Sequence, residues 1–259
     1  MRKIFLLAAA LAAGLEGAEP TPRVMLWRMD GGTFVTKRLV DSCYLIRHDL
    51  QYLLWDAGLG AELTGHPNQT KQGWVVEVRE SLVSQLAELR IKPAQIDILA
   101  LSHKHSDHIG QASYFPAAKL LIGKEDWDAL VARSPDPRLE PGRLAPWITG
   151  GAPKELVTGD KDIFGDGSVV MLAMPGHTPG HHSLLVRLKQ FGPVLLTGDL
   201  YYSAEQYEKQ FIPKNEDAAE TAASFVRFRK LAESLHATVV IQHEPRDVAK
   251  LPVFPNAAF

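Results

Sequence analysis

Within six residues the chain places three histidines and one aspartate, His103-Lys104-His105-Ser106-Asp107-His108. Imidazole nitrogen and carboxylate oxygen at this density suit zinc or a similar borderline divalent ion. His103 and His105 alternate, as two ligands leaving the end of a strand can. Asp107 and His108 fall in the turn leading to Gly110, so the four side chains can surround two adjacent points in space. Cys43 is the only cysteine, which rules out an intrachain disulfide and any Cys-rich zinc or iron–sulfur site. A metal here must be held by nitrogen and oxygen ligands, and the chain supplies ten histidines.

Three further polar residues share the setting of His103. His103 follows the apolar run IDILALS, His177 follows SVVMLAMPG, Asp199 follows PVLLTG and His243 follows TVVIQ. Each run reads as a buried strand, and each polar residue lies just past its C-terminal end. In layered α/β architectures, strand ends along one edge converge on a site whose loops carry the chemistry. Taken singly, His177 and His243 read as structural histidines and Asp199 as a turn cap beside Gly198. The dense six-residue cluster does not reduce to such roles.

The remaining elements must hold those strand ends in place. Val24–Met29, Cys43–Ile46 and Tyr52–Trp55 read as early strands, broken by Gly31-Gly32 and by Asp56-Ala57-Gly58. Val75, Val78, Leu82, Leu86 and Leu89, spaced by three and four, predict an amphipathic helix ended by Pro93. A strand at Lys119–Ile122 and a short helix at Lys124–Ala132 follow. Five prolines and four glycines between Ser134 and Gly159 predict a long surface loop. A last helix spans Asp217–Leu235, with Ala218, Ala222, Phe225, Phe228 and Leu231 on one side. The order predicts one α+β domain, sheet layers covered by helices. Trp74 ends the polar stretch Gly60–Trp74, which reads either as a lid with an apolar wall or as a solvated loop. Of His181 and His182, one is expected to support the site and the other to face outward. His48, His66 and His236 default to the surface.

With 46% hydrophobic and 22% charged residues in 259, the chain is globular rather than disordered, collagenous or coiled-coil. Its 28 basic and 30 acidic residues form no block of like charge, so no nucleic-acid partner is expected. Arg2 and Lys3 precede the uncharged run Ile4–Leu15, and Gly17 and Ala18 follow. Residues 1–18 therefore read as a secretory signal peptide and 19–259 as the mature domain, with an uncleaved apolar element as the alternative. The run is shorter than the roughly 20 residues a membrane span needs. A periplasmic or secreted protein without a stable membrane span is predicted.

His103-Lys-His105-Ser-Asp107-His108 resembles the H-x-H-x-D-H motif of the metallo-β-lactamase superfamily. Pro175-Gly-His177-Thr-Pro-Gly180 and Thr197-Gly-Asp199 are similar to its second and third motifs, and Trp55-Asp56-Ala-Gly58 to its early D-x-G turn. The resemblance runs from about Val24 to His243 and implies a four-layer αββα sandwich with a metal site along one edge. It further implies that His103, His105 and His177 bind one metal ion, that Asp107, His108 and His243 bind a second, and that Asp199 bridges them. Two zinc ions, or similar divalent ions, are the expected cofactors.

Within that superfamily a bridging Asp199 is unlike the true β-lactamases and like lactonases, glyoxalase II thioesterases and several phosphodiesterases. Tyr202, three residues beyond Asp199, matches the spacing of a tyrosine in N-acyl homoserine lactonases that is thought to hydrogen-bond the substrate carbonyl. Packing alone is the other reading of this tyrosine. Ser106 stands where the best-known lactonases commonly carry a larger residue, so the acyl-chain pocket is expected to differ. The resemblance implies a small-molecule lactone or ester substrate, opened at its carbonyl with an activated water, with Asp107 and Tyr202 as catalytic groups. A β-lactamase-like or thioester-cleaving hydrolase is the alternative.

Overall fold

The computed structural model describes residues 24–70 and 73–259. The predicted signal segment lies outside the described residues. Eight strands form the first sheet: β1 Val24–Phe34, β2 Leu39–His48, β3 Gln51–Trp55, β4 Asn68–Gln69, β5 Val75–Glu77, β6 Ile98–Ala100, β7 Lys119–Gly123 and β8 Lys154–Val157, in the order β4-β5-β1-β2-β3-β6-β7-β8. Five more form the second: β9 Lys161–Asp162, β10 Val169–Ala173, β11 His182–Leu188, β12 Gly192–Leu196 and β13 Thr238–Val240, in the order β13-β12-β11-β10-β9. The helices are α1 Leu82–Glu88, α2 Ser106–Ile109, α3 Lys124–Leu130, α4 Ala145–Ile148, α5 Ala204–Lys209 and α6 Ala218–Leu235.

The period of two along each strand separates the layers. Leu26, Tyr44, Ile46, Leu53, Trp55 and Ala100 point from the first sheet into a core shared with Val169, Met171, Leu184, Val186 and Leu196 of the second. Their neighbours Trp27, Met29, Cys43, Leu45, Leu54 and Leu99 point the other way, against Leu82, Leu86, Trp127, Leu130 and Trp147 of the covering helices. On the far side Leu172, Leu185 and Leu195 pack against Phe225, Phe228 and Ala232 of α6. Helix, sheet, sheet, helix is the expected αββα sandwich. Among the described residues, no helix is long and apolar enough to cross a membrane.

Strand direction gathers the site residues. β3, β6 and β7 run parallel, which puts Asp56 and His103 at the same end of the first sheet. β10 and β12 are each antiparallel to β11, and β13 is parallel to β12. The C-terminal ends of β10, β12 and β13 therefore share one edge, the one that carries His177, Asp199 and His243.

Two expectations need correction. Val75–Glu77 is a strand paired with β1 and β4; the helix starts only at Leu82, where the Ser81 hydroxyl accepts the Ser84 N–H. The sequence between Ser134 and Gly159 is not all loop: it contains α4 and β8, and the Trp147 indole is buried and donates to the Ala118 carbonyl at 3.0 Å.

A glycine contact brings the two sheets together beside the site. A Cβ on Gly123, at the end of β7, would lie 2.0 Å from the Gly180 carbonyl oxygen in the loop after β10, and backbone on both sides leaves nothing flexible to yield. Gly123→Ala is expected to cost about 1–3 kcal/mol, seen as a drop of several degrees in the thermal unfolding midpoint. Gly142→Ala, where an added Cβ meets nothing within 4 Å, should leave the midpoint nearly unchanged. Equal midpoints for both variants would refute the role given to this contact.

Candidate metal centre

The strand ends bring all seven predicted donors together. Two groups of side chains offer donor atoms within 4.8 Å of one another: His103, His105, His177 and Asp199 in one, Asp107, His108 and His243 in the other. In the first, His103 Nε2 lies 2.9 Å from His105 Nδ1 and 3.1 Å from His177 Nε2, and His177 Nε2 is 2.9 Å from His105 Nδ1. Asp199 Oδ2 is 3.4 Å from His177 Nε2 and 3.7 Å from His103 Nε2. Donors about 2.0–2.1 Å from a tetrahedral zinc would sit about 3.3 Å apart, so these edges have the right size for one ion.

Asp199 turns its other oxygen to the second group. Oδ1 is 3.1 Å from His108 Nε2 and 2.9 Å from His243 Nε2, while Asp107 Oδ2 is 3.7 Å and 3.8 Å from the same nitrogens. His108 Nε2 and Asp199 Oδ1 are buried and neither has a hydrogen-bond partner. Buried polar atoms are seldom left so, and the donor set fits a divalent ion between them.

The far nitrogens of His103, His108, His177 and His243 are tied back, which decides the face each of these rings presents. His108 Nδ1 donates to Asp56 Oδ2 at 3.0 Å; Asp56 also accepts the Ser102 N–H and the Gln242 amide. The Asp-Ala-Gly turn after β3 thus buttresses the site. His243 Nδ1 donates to the Val40 carbonyl at 2.8 Å, and Ser102 Oγ lies 3.0 Å from His103 Nδ1. His181 accepts the Asp199 backbone N–H at Nε2 and donates from Nδ1 to the Met174 carbonyl, the supporting place expected for one of the pair. His182, expected outside, is buried and bound to the Gly180 and Gly159 carbonyls. His48, expected at the surface, is half-buried and stacks on Phe164.

The two groups differ electrostatically. Burial, and then the charge of His108, hold His103 well below the ordinary histidine value; burial pulls His105 down to about 4. Burial also opposes charge on His108 and His243, but Asp199 foremost among the nearby carboxylates overrides it, keeping His108 well above its usual value and raising His243 to about 9. Asp199 is pushed up by burial, yet His108, His243 and His103 hold it well below the carboxylate range.

Three buried carboxylates escaped the sequence reading. Asp126 joins the two motif loops, accepting from the Lys104 ammonium at 3.0 Å, the Thr178 hydroxyl at 2.7 Å and the Gly180 N–H at 3.1 Å. Asp41 has neither oxygen hydrogen-bonded, and burial raises it to about 7. Glu216 lies 3.3 Å from His177 Nδ1. None stands in a motif, and Asp126 and Glu216 reach the motif residues Thr178, Gly180 and His177 from far off in sequence. Tyr202 is at the site, its hydroxyl 2.7 Å from His177 Nδ1. Cys43 is buried, and burial raises its thiol well above the ordinary value. Beside the donors opens a cavity of about 530 Å³ whose walls include Phe34, Leu59, Trp74, Leu139, Asp107 and Tyr202. Trp74 is thus a wall, edge-on to Phe34 at 5.8 Å.

The family model of the metallo-beta-lactamase superfamily matches residues 37–243. The chain belongs to that superfamily. Among curated relatives it is 31% identical, over 84% of its length and 87% of theirs, to the N-acyl homoserine lactonase AttM of Azorhizobium caulinodans. It is 25% identical, over 92% of its length and 96% of the relative's, to an N-acyl homoserine lactonase of Bacillus cereus. A Bacillus thuringiensis AiiA mutant, solved with N-decanoyl-L-homoserine bound at the active site, shares the fold with TM-score 0.77 at 22% identity, covering 92% of this chain and all of that one. AidC, a dizinc quorum-quenching lactonase, aligns with TM-score 0.62 at 18% identity, over 85% of this chain and 75% of that one.

The raised histidines set a pH dependence. Without metal, His243 keeps its proton up to about pH 9, and an ion entering beside it must displace that proton. Zinc uptake near neutral pH should therefore release protons, and apparent affinity for at least one ion should rise with pH and level off above about 9. Titration against a chromophoric chelator at increasing pH tests this; a flat profile would contradict it.

Proposed function

We propose that this superfamily hydrolase is a dinuclear zinc lactonase that opens the ring of N-acyl homoserine lactones. One observation carries the reading: a single buried carboxylate, Asp199, gives one oxygen to each of two histidine groups beside an apolar-walled cavity. The lactonase names among the relatives support the substrate class.

Two divalent ions bound there supply Lewis-acid polarisation and an acidified water. The chain's own residues do the rest. His103, His105 and His177 would hold one ion and Asp107, His108 and His243 the other, with Asp199 between the two groups. Tyr202 stays protonated, because burial and the charge of Asp199 push its phenol upward, and a protonated phenol can donate to the lactone carbonyl as negative charge grows on it. Ring opening expels an alkoxide that needs a proton, and Asp107, partly exposed at the cavity wall, is placed to take the proton the attacking water gives up and pass it to the leaving oxygen. Phe34, Leu59, Trp74 and Leu139 provide apolar surface for the acyl chain.

Zinc-loaded enzyme should hydrolyse an acyl homoserine lactone in preference to a cephalosporin or a glutathione thioester, and lose this activity on chelation. Preference for the thioester would overturn the substrate class. Asp107→Asn should lower kcat by about 10²-fold or more with little change in KM; unchanged turnover would remove Asp107 from proton transfer. Tyr202→Phe should cost about tenfold or more in kcat, and full activity would reduce Tyr202 to packing.

A further inference from the structure

His177 Nδ1 has two polar neighbours, the Tyr202 hydroxyl at 2.7 Å and Glu216 Oε1 at 3.3 Å. The Glu216 side chain has no exposure to water, and among the described residues its ion-pair partner is His177. Its other oxygen accepts from the Thr221 hydroxyl at 3.2 Å. The same stretch grips the backbone just before His177. Asp217, the N-cap of α6, donates its N–H to the Gly176 carbonyl at 3.1 Å, and the Ser224 hydroxyl donates to the Pro175 carbonyl at 2.7 Å. The start of α6 packs so closely that a Cβ on Gly176 would meet Thr221 Oγ1 at 2.2 Å.

A histidine that offers Nε2 to a metal carries its hydrogen on Nδ1, and that single hydrogen serves one acceptor well. A carboxylate is a stronger acceptor than a phenol oxygen. We propose that Glu216 is a positioning residue: it takes the Nδ1 hydrogen of His177 and fixes the tautomer that presents Nε2 beside His103 and His105. The proposal rests on the dinuclear reading above. It makes the α6 N-terminal turn, remote from every motif, part of the apparatus that loads one of the two ions.

The test measures zinc stoichiometry and stepwise affinity by chelator competition on the purified protein, for wild type, Glu216→Gln and Tyr202→Phe. Wild type should bind two ions. Glu216→Gln should weaken one of them by about 10–100-fold and leave the other unchanged, while Tyr202→Phe keeps both within about twofold. In nitrogen-15 spectra of the zinc-loaded proteins, the His177 Nδ1–H signal should move in Glu216→Gln and stay in Tyr202→Phe. Unchanged affinities in Glu216→Gln, or loss of an ion in Tyr202→Phe, overturn the proposal and leave the dinuclear reading standing. Fewer than two ions in wild type overturns both. Should Glu216→Gln not fold, Thr221→Val, which removes only the donor steadying Glu216, decides the matter: a several-fold weakening of one ion supports the role and wild-type affinities refute it.

Discussion

A carboxylate removed from water keeps its charge only where donors or positive groups surround it, and Asp199 meets that condition with imidazoles on both sides. Its oxygens face His103 and His177 in one direction and His108 and His243 in the other, while His181 holds its backbone N–H. These residues come from the ends of four strands in two sheets. The shared core between the sheets fixes their separation, and the approach of Gly123 to Gly180 closes the gap beside the site. The sandwich is thus the means by which one buried anion is surrounded.

The two sides of Asp199 are held by different means, and the difference is electrical. His108 leans on the Asp56 carboxyl group, whereas His243 leans on a backbone carbonyl and His103 on a hydroxyl. Carboxylates crowd the His108 side and raise its imidazoles; on the other side burial outweighs them and lowers His103 and His105. A lowered histidine is already neutral near pH 7 and offers its lone pair freely. A raised one must first give up a proton, so the same seven donors present two chemically distinct places to a metal.

The donors themselves were legible in the sequence because a dense cluster and four strand-end positions are local signals. The four layers were legible too, since alternation along β1, β2 and β3 sorts residues between two cores. What supports the donors was not. Asp126 meets Thr178 and Gly180 more than fifty positions away, and Gln242 reaches Asp56 across 186; no spacing rule reports such pairs. That neither His181 nor His182 faces outward was not legible, because period two along β11 separates the two faces but does not report the backbone carbonyls that wait for His182. Val75 and Val78 fit helical spacing by coincidence. Pairing with β1 and β4 claims Val75–Glu77 for the sheet, and the helix begins only where Ser81 can cap it.

The chemistry and the shape of the cavity are divided between rigid and irregular parts of the chain. Every donor stands on or just beyond a strand or in the single turn of α2, where a displacement would have to move a sheet. Part of the wall belongs to other segments: Leu59 and Trp74 flank the stretch containing β4, and Leu139 precedes α4 in a run poor in regular structure. Residues there can change without disturbing strand register, because few ladder hydrogen bonds depend on them. Ser106, between the donors His105 and Asp107, lines the cavity from inside the first motif. Part of the cavity's shape can therefore change without moving a donor, which is one physical reason a single sandwich can serve many hydrolases.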